Sequence, residues 1–358
     1  MLNKELPVKK LPDKDGVVIC IASGKGGVGK TFIGSVLAYA FASTGLNTLL
    51  IDMDTGLRNL DMVLGLENSV CYNLLDVLQK KVDFSSAVVR ANSPHGAEDV
   101  INLPYVLLPP QGKTKNAIAR KSFAQFLEER KKEFDIILLD APAGIEYGFS
   151  LVSENCDRAI IVCTPEMPIV YRLGEVIGRF DDINVPIDLI VNQMYPKLLR
   201  SKGGMTPQDI ELETGYRPAA LIPLDLGVRG CANTGVPVWY AEHSSSRKAI
   251  CLFAQTYLDR LFADVEEDTL GTDKIEQFAA EEPLEYEKLD EFSLQESQPE
   301  AAETPSSVEE KCDSDGGADS PPKADDAEID SENTPAATSE KPSGFSFGKL
   351  VSFFRRKQ

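Results

Sequence analysis

No two of the seven cysteines form a C-x-x-C pair; Cys20, Cys71, Cys156, Cys163, Cys231, Cys251 and Cys312 are scattered along the chain. That scatter argues against a zinc ribbon, a bridging iron–sulfur site and a disulfide scaffold. Several stand in apolar runs, where a free buried thiol is the ordinary reading. Long apolar runs are missing as well. With no stretch of about 20 apolar residues, the sequence predicts no membrane span. The leading residues MLNKELPVKKLPDKDG contain no apolar h-region, so no signal peptide is expected and a reducing, cytoplasmic setting is. Histidine is scarce, and His95, in the loop stretch Asn92-Ser93-Pro94-His95-Gly96, is read as solvated and without a role.

A basic excess is also absent where a DNA-coating protein would need one. Residues 1–263 carry 28 Lys+Arg against 30 Asp+Glu, too balanced for a basic stripe. No specific nucleic-acid binding is expected. The net charge of −19 lies elsewhere: residues 264–340 hold 26 acidic and 4 basic side chains, and residues 341–358 hold five basic and no acidic ones.

What is present is concentrated in VVICIASGKGGVGKT, residues 17–31. Val17 to Ala22 is a short β-branched run and reads as a buried strand. Gly24-Lys25-Gly26-Gly27-Val28-Gly29-Lys30-Thr31 then fits the P-loop pattern G-x-x-x-x-G-K-[ST]. Its glycines permit a tight turn that aims backbone N–H groups at phosphate oxygens, and the helix beginning near Lys30 adds its positive end. Lys30 is placed to reach the β- and γ-phosphates of ATP and Thr31 to ligate Mg²⁺. Thr31 to Ser43 follows at helical spacing.

Two further strands end in acids. Asn47 to Asp52 leads into Asp52-Met53-Asp54-Thr55-Gly56-Leu57-Arg58-Asn59-Leu60-Asp61, and Phe134 to Leu139 leads into Asp140-Ala141-Pro142-Ala143-Gly144. Carboxylates at the carboxyl ends of strands beside a P-loop stand where ligands bind in open α/β sheets. Such a group either orients the attacking water or holds Mg²⁺ through its shell; Asp140 has the Walker B arrangement. Residues 66–90 read as short helices, Tyr105 to Leu108 as a strand, Lys115 to Phe134 as a helix, Ala159 to Cys163 and Ile187 to Val191 as strands, Ile169 to Phe180 as a helix, and Ser246 to Phe262 as the last helix. Strands alternating with helices predict an α/β fold with one doubly wound, mainly parallel sheet.

The loop K-G-G-x-G-K-T, with Lys25 near its start, resembles the deviant Walker A loop of the MinD/ParA family of dimeric ATPases. The G-L-R-N-L-D run, the D-x-P-A-G run and the turn Thr164-Pro165-Glu166 resemble the MinD branch, over residues 16 to 262. The resemblance implies an ATPase with ATP and Mg²⁺ as cofactors, competent as a homodimer, in which Lys25 reaches the partner's nucleotide. It implies that Asp54 positions water, with Asn59 in the same switch, and that Asp140 contacts the metal shell and senses the γ-phosphate. It implies that Asn192 hydrogen-bonds the adenine edge, and that Pro223 and Asp225 of the I-P-x-D segment flank the base. Asn233-Thr234-Gly235-Val236-Pro237 resembles the family's N-x-G-x-P segment. The helix after Thr164-Pro165-Glu166 corresponds to a partner-binding face, although MPIVYRLGEVIGRF departs from the usual pattern there.

Four segments follow: a flexible lead-in, 1–15; a P-loop ATPase domain, 16–263; an acidic linker, 264–342; and a terminal basic helix, 343–358. The linker composition offers too little apolar surface to offset ordering entropy. About 80 such residues span on the order of 50 Å. In the last segment Phe347, Leu350, Val351 and Phe354 fall on one helical stripe, with Lys349, Ser352 and Arg356 opposite it and Arg355 a further basic residue. Such a helix is marginal in water and suited to an anionic membrane surface; a docking motif for a protein is the competing reading. Functionally, the resemblance together with the terminal stripe implies ATP-dependent dimerisation and reversible attachment to the inner membrane face for placing the division site. A division inhibitor and an ATPase-stimulating protein are the expected partners. A flagellar-number regulator, a ParA-type partitioner and a poorly hydrolysing nucleotide-dependent scaffold are the alternatives.

Overall fold

Strand β1 (Val17–Ala22) is buried at every residue after its first, a pattern that belongs to a central strand covered on both faces. The computed structural model describes residues 15–54, 59–66, 71–93, 102–110, 118–195, 204–241 and 243–270, with the side chains of 59, 232 and 264–270 outside that description. All of them lie in the first of the two units into which the chain divides, residues 1–298.

Seven more strands join β1: β2 (Thr48–Asp52), β3 (Val89–Arg90), β4 (Tyr105–Leu107), β5 (Ile136–Asp140), β6 (Arg158–Cys163), β7 (Ile187–Met194) and β8 (Pro218–Pro223). They form one eight-stranded sheet in the order β3-β4-β2-β5-β1-β6-β7-β8. Only the edge pair β3–β4 is antiparallel; the other neighbours run parallel. The winding direction reverses at β1, since β2 lies beyond β5 on one side and β6 adjoins β1 on the other. At such a switch point the carboxyl ends of the strands open a crevice for ligands. The register there sets Ile21 beside Asp140 and Asp140 beside Asp52.

Helix α1 (Lys30–Ser43) leaves this crevice and is buried on nearly all sides, as its run of Ala and large apolar residues requires. It packs between the sheet and the last helix, through Phe41 and Tyr257, whose rings lie 6.1 Å apart. Short helices α2 (Asn59–Leu64), α3 (Leu74–Leu78) and α4 (Phe84–Ala87) follow β2; α5 (Arg120–Arg130) precedes β5, α6 (Tyr147–Ser153) precedes β6, and α7 (Met167–Asp181) joins β6 to β7. Helix α7 buries Ile169, Val170, Leu173, Val176, Ile177 and Phe180, a single stripe at 3.6-residue period. Phe180 meets Phe149 of α6 edge-on at 5.5 Å, a pairing worth about 0.5–1.5 kcal/mol beyond area burial. Helices α8 (Pro207–Thr214) and α9 (Gly227–Thr234) flank β8, and α10 (Ser245–Leu270) closes the fold. Among the described residues no helix is long and apolar enough to cross a membrane.

The structure adjusts several expected boundaries. The stretch read as helix from Lys115 to Phe134 is helical only over Arg120–Arg130; residues 111–117 lie outside the described residues. The region read as short helices ends in strand β3, whose pairing with β4 is non-local and leaves no mark in a two-residue window. Strand β7 continues three residues past Val191. β8, read only as a base-flanking segment, is a full strand held by β7. The last helix runs to Leu270, past the linker boundary at 264, because extending an established helix gains a hydrogen bond for each residue fixed. The rest of the expected linker lies outside the described residues.

Candidate functional site

The loop between β1 and α1 turns on glycines whose surroundings differ. Gly29 takes φ 95 and Gly27 φ 81, the left-handed region where a Cβ is penalised. At Gly29 a Cβ would stand 2.4 Å from Asn192 Nδ2, whereas at Gly27 nothing lies within 4 Å. Gly27 therefore borders open space, which leaves room for a phosphate beside the loop. A Cβ on Gly24 would stand 2.9 Å from the Arg172 carbonyl oxygen, so the start of the loop rests on the α7 backbone. Ser23 Oγ donates to the Lys25 carbonyl at 2.8 Å, while the Lys25 side chain, like Gly26 and Gly27, is exposed. Lys30 is buried at the base of the loop.

At the other wall, Thr31 Oγ1 donates to Asp140 Oδ2 at 2.6 Å. Asp140 is buried at the end of β5, and its Oδ1 has no hydrogen-bond partner. Burial pushes its carboxyl up to about 6; the Thr31 hydroxyl and the Lys30 ammonium pull it down, and Asp54 pushes it up again. Asp52 is raised well above the usual range, first by burial and then by Asp140, and its Oδ1 accepts the Asp54 N–H at 2.8 Å. Asp54 itself is half-buried beside them. A buried carboxylate oxygen left without a donor, on a carboxylate that also accepts from the threonine hydroxyl at the end of the loop, is a site that a divalent cation fits. Mg²⁺ is usually held in this way, by one or two carboxylates together with phosphate oxygens.

Asn59 begins α2, and Asp61 behind it is buried, its Oδ1 accepting the Met62 N–H at 3.0 Å; residues 55–58 lie outside the described residues. A Cβ on Gly65, just past α2, would fall 2.3 Å from the Gly235 carbonyl oxygen. Asn92 Nδ2 donates to the Gly65 carbonyl at 2.7 Å, and Tyr39 of α1 donates to the Asn92 carbonyl at 2.6 Å. The Tyr39 ring stacks on Trp239 at 5.9 Å. This chain of contacts, which ties the turn after α2 to the N-x-G-x-P segment, was not legible in the sequence, because its links are 27 or more residues apart and include a backbone contact between two glycines.

Of the three residues expected at the base, Asn192 and Pro223 lie at the carboxyl ends of β7 and β8. Asn192 is buried, and its Nδ2 donates to the Val28 carbonyl at 2.8 Å. Asp225 is already engaged within the fold. Its Oδ2 accepts from Ser244 Oγ at 2.6 Å, Ser246 Oγ at 3.2 Å and Ser246 N at 3.3 Å, and its Oδ1 from Gly227 N at 2.8 Å. It thereby joins the start of α9 to the start of α10. Neither serine carries a motif that could have announced this. On α7, Met167 and Tyr171 stand exposed on the helix expected to face a partner. Phe347, Lys349, Leu350, Val351, Phe354, Arg355, Arg356 and His95 lie outside the described residues.

Comparison with known proteins agrees with this geometry. A family model described as an AAA domain matches residues 16–184. The septum site-determining protein MinD of Thermotoga maritima is 36% identical over 226 residues, covering 62% of this chain and 81% of the relative. That of Bacillus subtilis is 34% identical over 225 residues, covering 62% of this chain and 82% of the relative. Among solved structures, the MinC:MinD cell division protein complex of Aquifex aeolicus superposes with a TM-score of 0.61 at 32% identity, covering 68% of this chain and 96% of that one.

Proposed function

This chain belongs to the MinD family of septum site-determining P-loop ATPases, and from that premise we propose that it hydrolyses ATP as a homodimer whose closure governs attachment to the membrane. The observation that carries the reading is the Thr31–Asp140 hydrogen bond, which joins the residue after the loop lysine to the buried acid that ends β5.

In this reading the N–H groups of the loop and the N-terminus of α1 bind the β- and γ-phosphates, and Lys30 neutralises charge that builds between them. Thr31 and Asp140 hold Mg²⁺, which supplies Lewis-acid polarisation of the phosphate oxygens when bound. Asp54 orients the attacking water toward the γ-phosphorus, and the proton leaves with the product phosphate. Asp140 registers loss of the γ-phosphate and passes it to the Ala141-Pro142-Ala143-Gly144 run that follows it. Lys25 is exposed, as a residue must be if it is to reach the nucleotide of a second copy; in the transition state it adds positive charge where negative charge develops. The adenine lies over the ends of β7 and β8, where the Asn192 carboxamide oxygen accepts from its amino group and Pro223 supplies an apolar wall.

Dimer closure brings two terminal segments together. One stripe of Phe347, Leu350, Val351 and Phe354 gives weak, reversible binding to anionic lipid, and two on one body raise the effective concentration of the second. The Aquifex aeolicus neighbour is a MinC:MinD complex, which supports a division inhibitor as a partner here, with an ATPase-stimulating protein as the second; α7 is the proposed docking helix. The protein then works in the cytoplasm and at the inner face of the membrane, in placing the division site. Phosphate release from Mg–ATP by the full chain, with and without anionic liposomes, tests this. Turnover should be present, absent in Lys30→Ala, and accompanied by ATP-dependent co-sedimentation. Wild-type protein that releases no phosphate and never sediments with liposomes would overturn the reading.

A further inference from the structure

The pairing of β7 with β8 slips just where β7 reaches the phosphate loop. Val191 pairs with Leu221 and Met194 with Pro223, so Asn192 and Gln193 together stand opposite Ile222. Two residues facing one form a β-bulge, a device that re-aims side chains beside active sites. Gln193 takes φ 57, a left-handed conformation that is strained for a residue with a Cβ. In a regular strand neighbouring side chains leave opposite faces of the sheet. Here both turn to the loop: Asn192 Nδ2 donates to the Val28 carbonyl at 2.8 Å, and Gln193 Nε2 donates to the Gly27 carbonyl at 3.5 Å. The Asn192 carboxamide thus holds the Val28 carbonyl firmly, and the Gln193 carboxamide adds a longer, weaker contact to the carbonyl before it.

The consequence follows from the planar trans peptide, in which C=O and N–H point in opposite directions. Drawing the Gly27 and Val28 carbonyls toward β7 turns the N–H groups of Val28 and Gly29 the other way, into the cradle. Successive N–H groups converging on one concavity form an anion-binding nest. We infer that the Asn192–Gln193 bulge is a positioning device for the phosphate loop, which fixes the direction of its N–H groups whether or not a base is bound. This rests on the reading of the loop as a nucleotide site and adds residues to it. Neither residue needs to touch the phosphates, since they act through the loop backbone.

The test uses the full chain, Mg²⁺ and two probes, ATP and base-free tripolyphosphate, with titration calorimetry and thermal melting. Gln193→Gly removes the carboxamide and relieves the left-handed strain together. Its melting temperature should hold or rise, while affinity for both probes falls by the same factor, about three- to tenfold for one hydrogen bond. Asn192→Ala should lose affinity for both probes as well, and Gln193→Asn, which tolerates the same φ but is shorter, should fall between. If Asn192→Ala does not fold, Gln193→Gly carries the test alone. Unchanged tripolyphosphate affinity in Gln193→Gly overturns the inference; so does a loss confined to ATP in Asn192→Ala, which would mark a residue that only reads the base. Wild-type protein that binds neither probe overturns the nucleotide reading itself.

Discussion

Thr31, the first residue after the loop lysine, and Asp140, 109 positions later, meet in a hydrogen bond of 2.6 Å. The fold produces this contact by laying β5 directly beside β1, with Ile21 and Asp140 in register. The bond uses one carboxylate oxygen and leaves the other, Oδ1, buried without a donor. A carboxylate in that state is costly to the folded protein and useful to a bound cation.

Replacing Asp140 should therefore separate stability from activity. Burial raises its carboxyl to about 6, so at neutral pH the ligand-free fold carries an unfavourable buried charge. Asp140→Asn keeps the shape without the charge, and its ligand-free melting temperature should rise by a few degrees, as about 1 kcal/mol shifts a domain of this size. Mg²⁺ should no longer strengthen nucleotide binding in that variant. Calorimetric melting and titrations with and without Mg²⁺ check both halves; a variant less stable than wild type and still responsive to Mg²⁺ removes Asp140 from the metal shell.

Two alanine substitutions in the loop should fail for different reasons. Gly29→Ala forces a Cβ to 2.4 Å from Asn192 Nδ2 at a left-handed φ and should cost the fold roughly 1–3 kcal/mol. Gly27→Ala meets no atom within 4 Å and should cost only the conformational strain, about 1–2 kcal/mol. Both should lose nucleotide, Gly27→Ala because its methyl occupies the cradle. If Gly27→Ala binds ATP like wild type, the phosphates lie elsewhere.

Asp225 provides a pH signature. Burial alone would raise its carboxyl, but donors from Ser244, Ser246 and Gly227 outweigh that and hold it below the usual range. A carboxyl depressed in the folded state adds stability above its unfolded value, near 4, and that contribution is lost as pH falls through the folded value. Asp225→Asn should melt earlier than wild type at neutral pH, with a cost of about 1.5–3 kcal/mol for a charged hydrogen-bond network, and the gap should close in acid. A gap independent of pH would mean that the charge contributes nothing.

Lys25 is expected to act on turnover alone. Lys25→Ala should keep nucleotide affinity within a small factor while phosphate release falls by about 10² or more, the usual cost of losing a transition-state contact. Hydrolysis at the normal rate by a monomeric Lys25→Ala protein would dismiss the cross-dimer role.

Legibility in the sequence followed the range of the physical cause. The P-loop was readable because eight adjacent residues suffice to bend a backbone around a phosphate, and β1, β2 and β5 were readable because a buried parallel strand is apolar on both faces. Asp52 and Asp140 were readable as strand-terminal acids, and Asp54 as the acid two residues past the end of its strand. The bulge at Asn192–Gln193 was not, because a slipped register is a property of two strands and appears in neither sequence alone. Asp225 was recognised as a notable residue but given a base-side role, since the Ser244 and Ser246 hydroxyls that bind it are about 20 positions away. Strand β8 was missed because Pro218 and Pro223 bound a short run that β7 alone makes into a strand.

The central claim, that ATP closes a hydrolytically competent dimer of this chain, is tested most directly by sedimentation velocity of the purified full-length protein in Mg–ADP and in Mg–ATP, with Asp54→Ala alongside. The account predicts monomer in Mg–ADP, a dimer fraction that rises with protein concentration in Mg–ATP, and an accumulated, long-lived dimer in Asp54→Ala, which binds ATP but turns it over slowly. Monomer under every condition, or the same dimer with ADP as with ATP, would contradict it.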